Sequence, residues 1–313
     1  MGDTMANLSP KRGGRLVTVL MIAGLAGWGQ SVGAEPLPVV ATFSILGDLV
    51  KAVGGTEVMV TVLVGPGNDI HAHEPTPRDA QALAGAGLVV INGLGLEGWI
   101  ERLVKASGYR GPVVVAARST APLAAPGDTD HDHGHGQTSD PHVWQAVANV
   151  KTMVGEIRDG LIAAAPERAE AFRANGIAYL TELDHLDDEI RAALAPIPAG
   201  QRKVVTSHDA FGHYGHAYGV NFLAAAGMGA EAEPSAKAMA GLIRLIRLEK
   251  VGTIFVESIH SPRMQQRIAK ETGAVIGEPI YSDALSPPNG PAGSYLAMMR
   301  HNTRQFVRAM SAP

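Results

Sequence analysis

Cysteine is missing from all 313 residues of this chain. Without it there are no disulfides, so an exported protein must hold its cores by packing alone. Any metal site must then be built from His and carboxylates, not thiolates. Surplus positive charge is missing too: 26 Lys and Arg stand against 30 Asp and Glu. That argues against nucleic acid, whose binding rests on a basic surface. Beyond the first 34 residues no run is apolar enough to span a bilayer, which takes about 20 residues. No H-E-x-x-H motif occurs, so the common helical signature of a zinc protease is absent.

What is there begins with a leader. Lys11, Arg12 and Arg15 form a positive segment, "LVTVLMIAGLAGW" is a short apolar core, and "SVGA" ends in the small residues a signal peptidase accepts. Residues 1–34 therefore read as a signal peptide, with an N-terminal membrane anchor as the alternative. Cleavage there removes three basic residues and one acidic residue. The mature chain keeps 23 basic against 29 acidic residues, a net charge of −6. The cleavage site offers no cysteine to carry a lipid, so a soluble, non-lipidated periplasmic protein is expected.

The remaining length suits two ordinary domains, each with its own core. The mature sequence alternates strands and helices twice over. In the first half "LPVVATFS", "VMVTVLVGP", "GLVVING" and "PVVVAA" read as buried strands, with helices at "ILGDLVKAVGG" and near "TPRDAQALAGA". The second half repeats this with strands at "RKVVTSH", "VNFLAAAG", "GTIFVES" and "GAVIGEPI". Its helices fall after His208, at "SAKAMAGLIRLIRLEK" and near "GSYLAMMRHNTRQFVRAM". Continuous apolar strands separated by helices imply an α/β fold with mostly parallel sheets and flanking helices. Between the halves, Phe172, Leu180, Leu183, Leu186, Ile190 and Leu194 recur at helical spacing between Pro166 and Pro196. This predicts one helix of about 30 residues, roughly 45 Å long, able to join two lobes stiffly. The expected units are a leader over 1–34, an N-terminal lobe over 35–165, a connector helix over 166–196 and a C-terminal lobe over 197–313.

Four of the twelve histidines fall in "TDHDHGHGQTSDPHVW". His131, His133 and His135 alternate with Gly and Asp in a low-complexity loop over 126–139, which cannot form a packed core. His142 stands apart, in "DPHVW". His71 in "GPGNDIHAHEPTP", His208 in "VVTSHDAFG" and Asp283 in "IYSDALSP" also lie where strands end or loops begin. Ligands bind beyond the carboxyl ends of strands in open α/β sheets, and two such positions come from each half. They are candidate metal ligands.

The segments "DIHAHEPTPRDAQALAGAGLVVINGLGLEGWI", "DPHVW", "VVTSHDAFGHYGHAYGV", "EAEPSAKAMAGLIRLIRLEKVGTIFVES" and "YSDALSP" resemble the solute-binding proteins of bacterial zinc and manganese ATP-binding-cassette importers, in the zinc-uptake group known as cluster A-I. The similarity covers nearly the whole mature chain. It implies two α/β lobes joined by a rigid helix, a metal held between them by His71, His142, His208 and Asp283, and a membrane permease as partner. It leaves room for a periplasmic zinc metallochaperone that loads the site, and a monomer is expected. Many relatives carry Tyr in "HxYEP" where this chain has His73. His71 alone is expected as a ligand, with His73 behind it or at the cleft mouth. Manganese-type relatives carry a carboxylate at the third position, where this chain has His208. Three imidazoles and one carboxylate suit Zn²⁺, while oxygen-rich sets suit Mn²⁺; the ligand set leaves Cu²⁺ and Ni²⁺ open.

The loop histidines then read as a weak, fast-exchanging zinc site, or as a solvated linker. Glu257 and His260 could border the cleft. His213 and His216 are placed at the surface or at an interface, and His185 and His301 in structural positions. Competing with a zinc-importer component are a manganese-specific homologue, a zinc-dependent hydrolase, and a zinc buffer or metallochaperone with no membrane partner. Against the hydrolase, catalytic zinc usually keeps three protein ligands and a water.

Overall fold

The computed structural model describes residues 1–2, 35–121, 123–124, 139–224, 227, 236–259 and 262–311. The expected leader and the loop histidines His131, His133 and His135 lie outside the described residues, as does His260. Glu35–Pro313 forms one compact unit.

Four β-branched runs make the N-terminal sheet: β1 (Leu37–Phe43), β2 (Val58–Val64), β3 (Leu88–Ile91) and β4 (Val113–Val115). They lie in the order β2-β1-β3-β4, and every pairing is parallel. The second sheet holds β5 (Lys203–Thr206), β6 (Asn221–Ala224), β7 (Thr253–Ile254) and β8 (Val275–Ile276), in the order β6-β5-β7-β8 and again wholly parallel. Numbered within each lobe the two orders are identical, so the repeated grammar of the sequence is a repeated winding. In each sheet the direction of winding reverses beside the first strand, where α/β folds place ligands.

The connections are helical. In the first lobe they are α1 (Ser44–Gly54), α2 (Pro77–Ala84) and α3 (Ile100–Ser107), followed by α4 (Val147–Ala164). The sequence "TPRD" explains the start of α2. Thr76 and Asp79 cap each other's backbone N–H groups, and Pro77 takes the first helical position. Then come α5 (Ala169–Leu194), α6 (Gly212–Tyr218), α7 (Ala236–Glu249), α8 (Arg263–Thr272) and α9 (Tyr295–Met310). The expected connector is α5. Its 26 α-helical residues span about 39 Å and continue directly from the 3₁₀ turn Pro166–Arg168, so the helical run begins at Pro166 as expected. Pro166 suits the start of that turn, and Ala165 before it is held out of the helical region, with φ −141° and ψ 75°.

Helix α4 packs along α5, while α5 also meets α1 on one side of the molecule and α9 on the other. The buried stripe Val147, Val150, Val154, Ile157 and Leu161 of α4 faces this junction. One hydrophobic cluster therefore runs from Val40 and Leu49 through Leu183 and Leu186 to Val204, Tyr214 and Phe306. This departs from the expectation of one core per lobe. Alternation along β5 shows why: Val204 joins the shared core, while Val205 on the opposite face joins a small outer cluster with Leu242, Ile246, Ile254 and Ile268.

Candidate metal centre

His71 follows β2, His142 follows β4, His208 lies two residues beyond β5, and Asp283 follows β8. The segments that carry these four residues meet. His71 Nε2 lies 3.2 Å from His142 Nε2 and 3.4 Å from Asp283 Oδ2. His208 Nε2 lies 3.1 Å from the same Oδ2, and His142 Nε2 lies 3.7 Å from Asp283 Oδ1. One donor atom from each residue falls within 4.8 Å of all the others. A tetrahedral Zn²⁺ with bonds of about 2.0–2.1 Å separates its ligand atoms by about 3.3–3.4 Å. The observed spacings bracket that value.

Electrostatics point the same way. Asp283 is wholly buried, yet neither carboxylate oxygen receives a hydrogen bond of regular geometry. A buried carboxylate needs compensation, and three imidazole nitrogens are what faces it. Burial works to raise the Asp283 pKa, but His208 and His142 overcome it and hold the acid well below the ordinary carboxylate value. For His208, burial opposes the proton, while Glu257 and Asp283 together push its pKa well above the ordinary imidazole value. His71 is likewise raised against burial, by Asp283 and Asp69. The carboxylate thus favours positive charge on the imidazoles that face it, as it would favour a dication in the same place. Donor set, spacing and orphaned acid all fit a divalent cation.

The rings are aimed by carboxylates behind them. Asp140 Oδ1 lies 2.8 Å from His142 Nδ1, and Glu257 Oε2 lies 2.6 Å from His208 Nδ1. A proton held at Nδ1 by a carboxylate leaves the Nε2 lone pair directed into the cluster. Glu257 is fixed in turn, its Oε1 accepting from the backbone N–H groups of Ser207 and His208 at 2.9 and 3.0 Å. The expectation that Glu257 borders the cleft thus has a geometric basis. Asp140 was not singled out in the sequence, although a signal was available. Both N-lobe histidines are preceded two positions earlier by Asp, in "NDIH" and "SDPH". In each case the Asp side chain accepts the histidine's own backbone N–H, Asp69 at 2.8 Å and Asp140 at 2.9 Å. These are Asx turns, and they present both histidines in the same way.

The remaining candidates separate cleanly. His73 stays out of the cluster, its Nε2 3.4 Å from Asp79 Oδ2 and its ring edge-on to Trp99. His213 is buried at the junction of the lobes, with Nε2 3.1 Å from Asp140 O and Nδ1 accepting from Asn149. Burial lowers its pKa, despite Asp140. His216 and His185 are exposed. His301 donates to Pro279 O, and its neighbour Asn302 bonds both backbone groups of Tyr281, so α9 clamps the loop that carries Asp283. Across the junction, Trp144 and Gln145 both donate to Ser282 O, at 2.8 and 2.9 Å. Ala124 and Ser139 form an antiparallel bridge just ahead of Asp140 and His142.

A family model described as zinc-uptake complex component A, periplasmic, matches residues 39–309. A manganese-binding lipoprotein of Halalkalibacterium halodurans is 32% identical over 299 residues, covering 95% of this chain and 96% of that protein. An iron-binding protein of Yersinia pestis is 30% identical, covering 90% of this chain and 89% of its own. Among solved structures, a periplasmic zinc binding protein from Treponema pallidum superposes with a TM-score of 0.79 at 30% identity, covering 89% of this chain and 100% of that one.

Proposed function

The chain belongs to the family of periplasmic component A of zinc-uptake complexes, and from that membership we propose that it captures Zn²⁺ between its lobes and delivers it to an importer permease. Members are the metal-binding components of ATP-binding-cassette importers, not enzymes. The relatives are named for manganese, iron and zinc, so the choice of zinc rests on the site. What carries it is the convergence of three Nε2 atoms on the orphaned carboxylate of Asp283. Three imidazoles and one acid in a closed four-donor set are a zinc arrangement. A fourth protein donor stands where a catalytic zinc keeps its water, which favours cargo over chemistry. The side chain of His71 is 13% exposed while those of His142, His208 and Asp283 are buried, which suits a bare ion rather than an organic substrate.

The working units are a leader over 1–34, a lobe over 35–165, the connector over 166–196 and a lobe over 197–313. The loop histidines His131, His133 and His135 hold a second, weaker zinc. The protein acts as a periplasmic monomer without a lipid, its one necessary partner being the permease; a periplasmic zinc metallochaperone is a further partner that could load the site.

One observation favours a second reading, manganese. Both oxygens of Asp283 face imidazoles, Oδ1 toward His142 and Oδ2 toward His71 and His208. A bidentate carboxylate would raise the donor count to five, toward what Mn²⁺ prefers. Titration of the purified protein with zinc against excess manganese decides between them. One tight zinc equivalent that manganese does not displace is expected. Displacement at comparable concentrations would assign the site to manganese.

A further inference from the structure

The loop Asn92–Trp99 contains a buried carboxylate with no cation among the contacts that hold it. Glu97 Oε1 accepts from Thr42 Oγ1 at 2.7 Å and from the Asn92 backbone N–H at 2.6 Å, and its Oε2 accepts from the Gly93 N–H at 3.2 Å. Burying a charge on neutral donors alone is costly, so this placement asks for a reason. The backbone it ties down is unusual. Gly93, Leu94 and Gly95 all have positive φ, at 90°, 55° and 79°. A side chain at Gly93 would also collide with Val115 of β4. A non-glycine residue at positive φ persists only where its surroundings enforce it.

Two buried side chains leave this loop, and each ends on the carbonyl immediately before a proposed ligand. Asn92 Nδ2 donates to Pro141 O at 3.0 Å, one residue ahead of His142. Trp99 Nε1 donates to Ile70 O at 3.2 Å, one residue ahead of His71. The same device recurs at a third ligand, where Trp144 and Gln145 hold Ser282 O ahead of Asp283.

We infer that the Asn92–Trp99 loop, anchored by Glu97, sets the separation of the two histidines that the N-terminal lobe offers to the ion, with Asn92 and Trp99 as positioning residues for His142 and His71. The inference rests on the reading of those histidines as metal ligands. The lobe's two ligand loops are joined to one another through this third loop, which sits over the ends of β1 and β3. Because metal–ligand distances tolerate only about 0.2 Å, a loop fixed at its carbonyl on one side and its Asx turn on the other is the support such a site needs.

Two substitutions leave the Glu97 anchor in place: Trp99→Phe, which keeps an aromatic ring but removes the N–H, and Asn92→Ala, whose backbone N–H still reaches Glu97. Zinc release to an excess of chelator should be about 10-fold faster in each, the lower end of what losing an outer support costs a metal site. The visible d–d bands of the cobalt(II)-loaded protein should shift in position or intensity in both, a change that loss of stability alone would not produce. The double variant should release zinc faster than either single one but by less than the product of the two factors, since cutting either tether already frees the separation that the loop sets. Glu97→Gln should capture most of that combined effect if it folds; the two single variants decide the matter if it does not. Wild-type release rates and cobalt spectra in both single variants, with tight zinc lost in His71→Ala and His142→Ala, would overturn the positioning role alone. Wild-type zinc binding in His71→Ala and His142→Ala would remove the ligand reading, and this inference with it.

Discussion

Replacing Asp283 by Asn keeps the shape of the side chain and removes the single formal charge among the four proposed ligands. The carboxylate is wholly buried and meets an imidazole nitrogen of His71, His142 and His208 within 3.1–3.7 Å, so no water or surface group can substitute for it. Losing supports outside the ligand shell costs 10–100-fold in affinity; loss of a charged ligand should reach at least the upper figure. Stabilisation by a ligand follows RT ln(1 + [L]/Kd), so a 100-fold weaker Kd at fixed excess zinc removes about 2.7 kcal/mol. Over the roughly 280 residues of Glu35–Pro313, an unfolding entropy of about 2.1 cal/mol/K per residue converts this to about 4–5 °C. The assay is the difference between zinc-loaded and metal-free melting temperatures. That difference cancels the separate effect of removing an anion from beside His208 in the metal-free protein. Asp188→Asn, at an exposed position on α5, is the control. Equal zinc-induced shifts in Asp283→Asn and Asp188→Asn would refute the assignment of Asp283 as a ligand.

Zinc must compete with protons at the Nε2 atoms of His208 and His71, whose pKa values are raised against burial by the charges of Glu257 and Asp283 and of Asp283 and Asp69 respectively. In the metal-free fold these raised groups contribute stability that is complete below the unfolded value of about 6.5 and lost as pH rises through their folded values. Zinc affinity runs the opposite way and should begin to fall already above pH 6.5, with more than one proton taken up per ion released; isothermal titration across pH 5–8 that gave a flat affinity would contradict a His-dominated site. Exchanging His208→Glu should weaken zinc and improve relative manganese binding, measured by competition. It is best made together with Glu257→Gln, because a carboxylate at 208 would otherwise face both Glu257 and Asp283; an unchanged zinc-to-manganese preference would remove His208 as the selectivity residue. Replacing His131, His133 and His135 together should abolish only the weaker zinc phase in a titration, and loss of the tight phase would place a loop histidine among the ligands.

Most of the frame was legible because parallel strands flanked by helices leave uninterrupted apolar runs, and "VVATF", "VMVTVLV" and "KVVT" are such runs, although β2, at the edge of its sheet, exposes Met59 and Thr61 rather than being buried on both faces. The four residues that meet in the cluster were legible as candidates for a related reason: polar residues that close an apolar strand, as His208 closes "VVTS", have few roles in the sheet itself. What stayed hidden is what depends on partners distant in sequence. Helix α4 carries a clear apolar stripe, yet only its packing along α5 reveals that the stripe serves a core shared by both lobes. Val204 and Val205 are adjacent and equally apolar, and nothing local says that one faces the junction and the other a small outer cluster. His213 and His216 share a helix and a spacing, but only His213 meets Asp140 across the junction. The Asp residues of "NDIH" and "SDPH" form the intermediate case. The i to i+2 spacing of an Asx turn can be read locally, so the backbone half of their role was available. The half that matters to the ion, Asp140 holding the far nitrogen of His142, depends on a side-chain rotamer that packing selects.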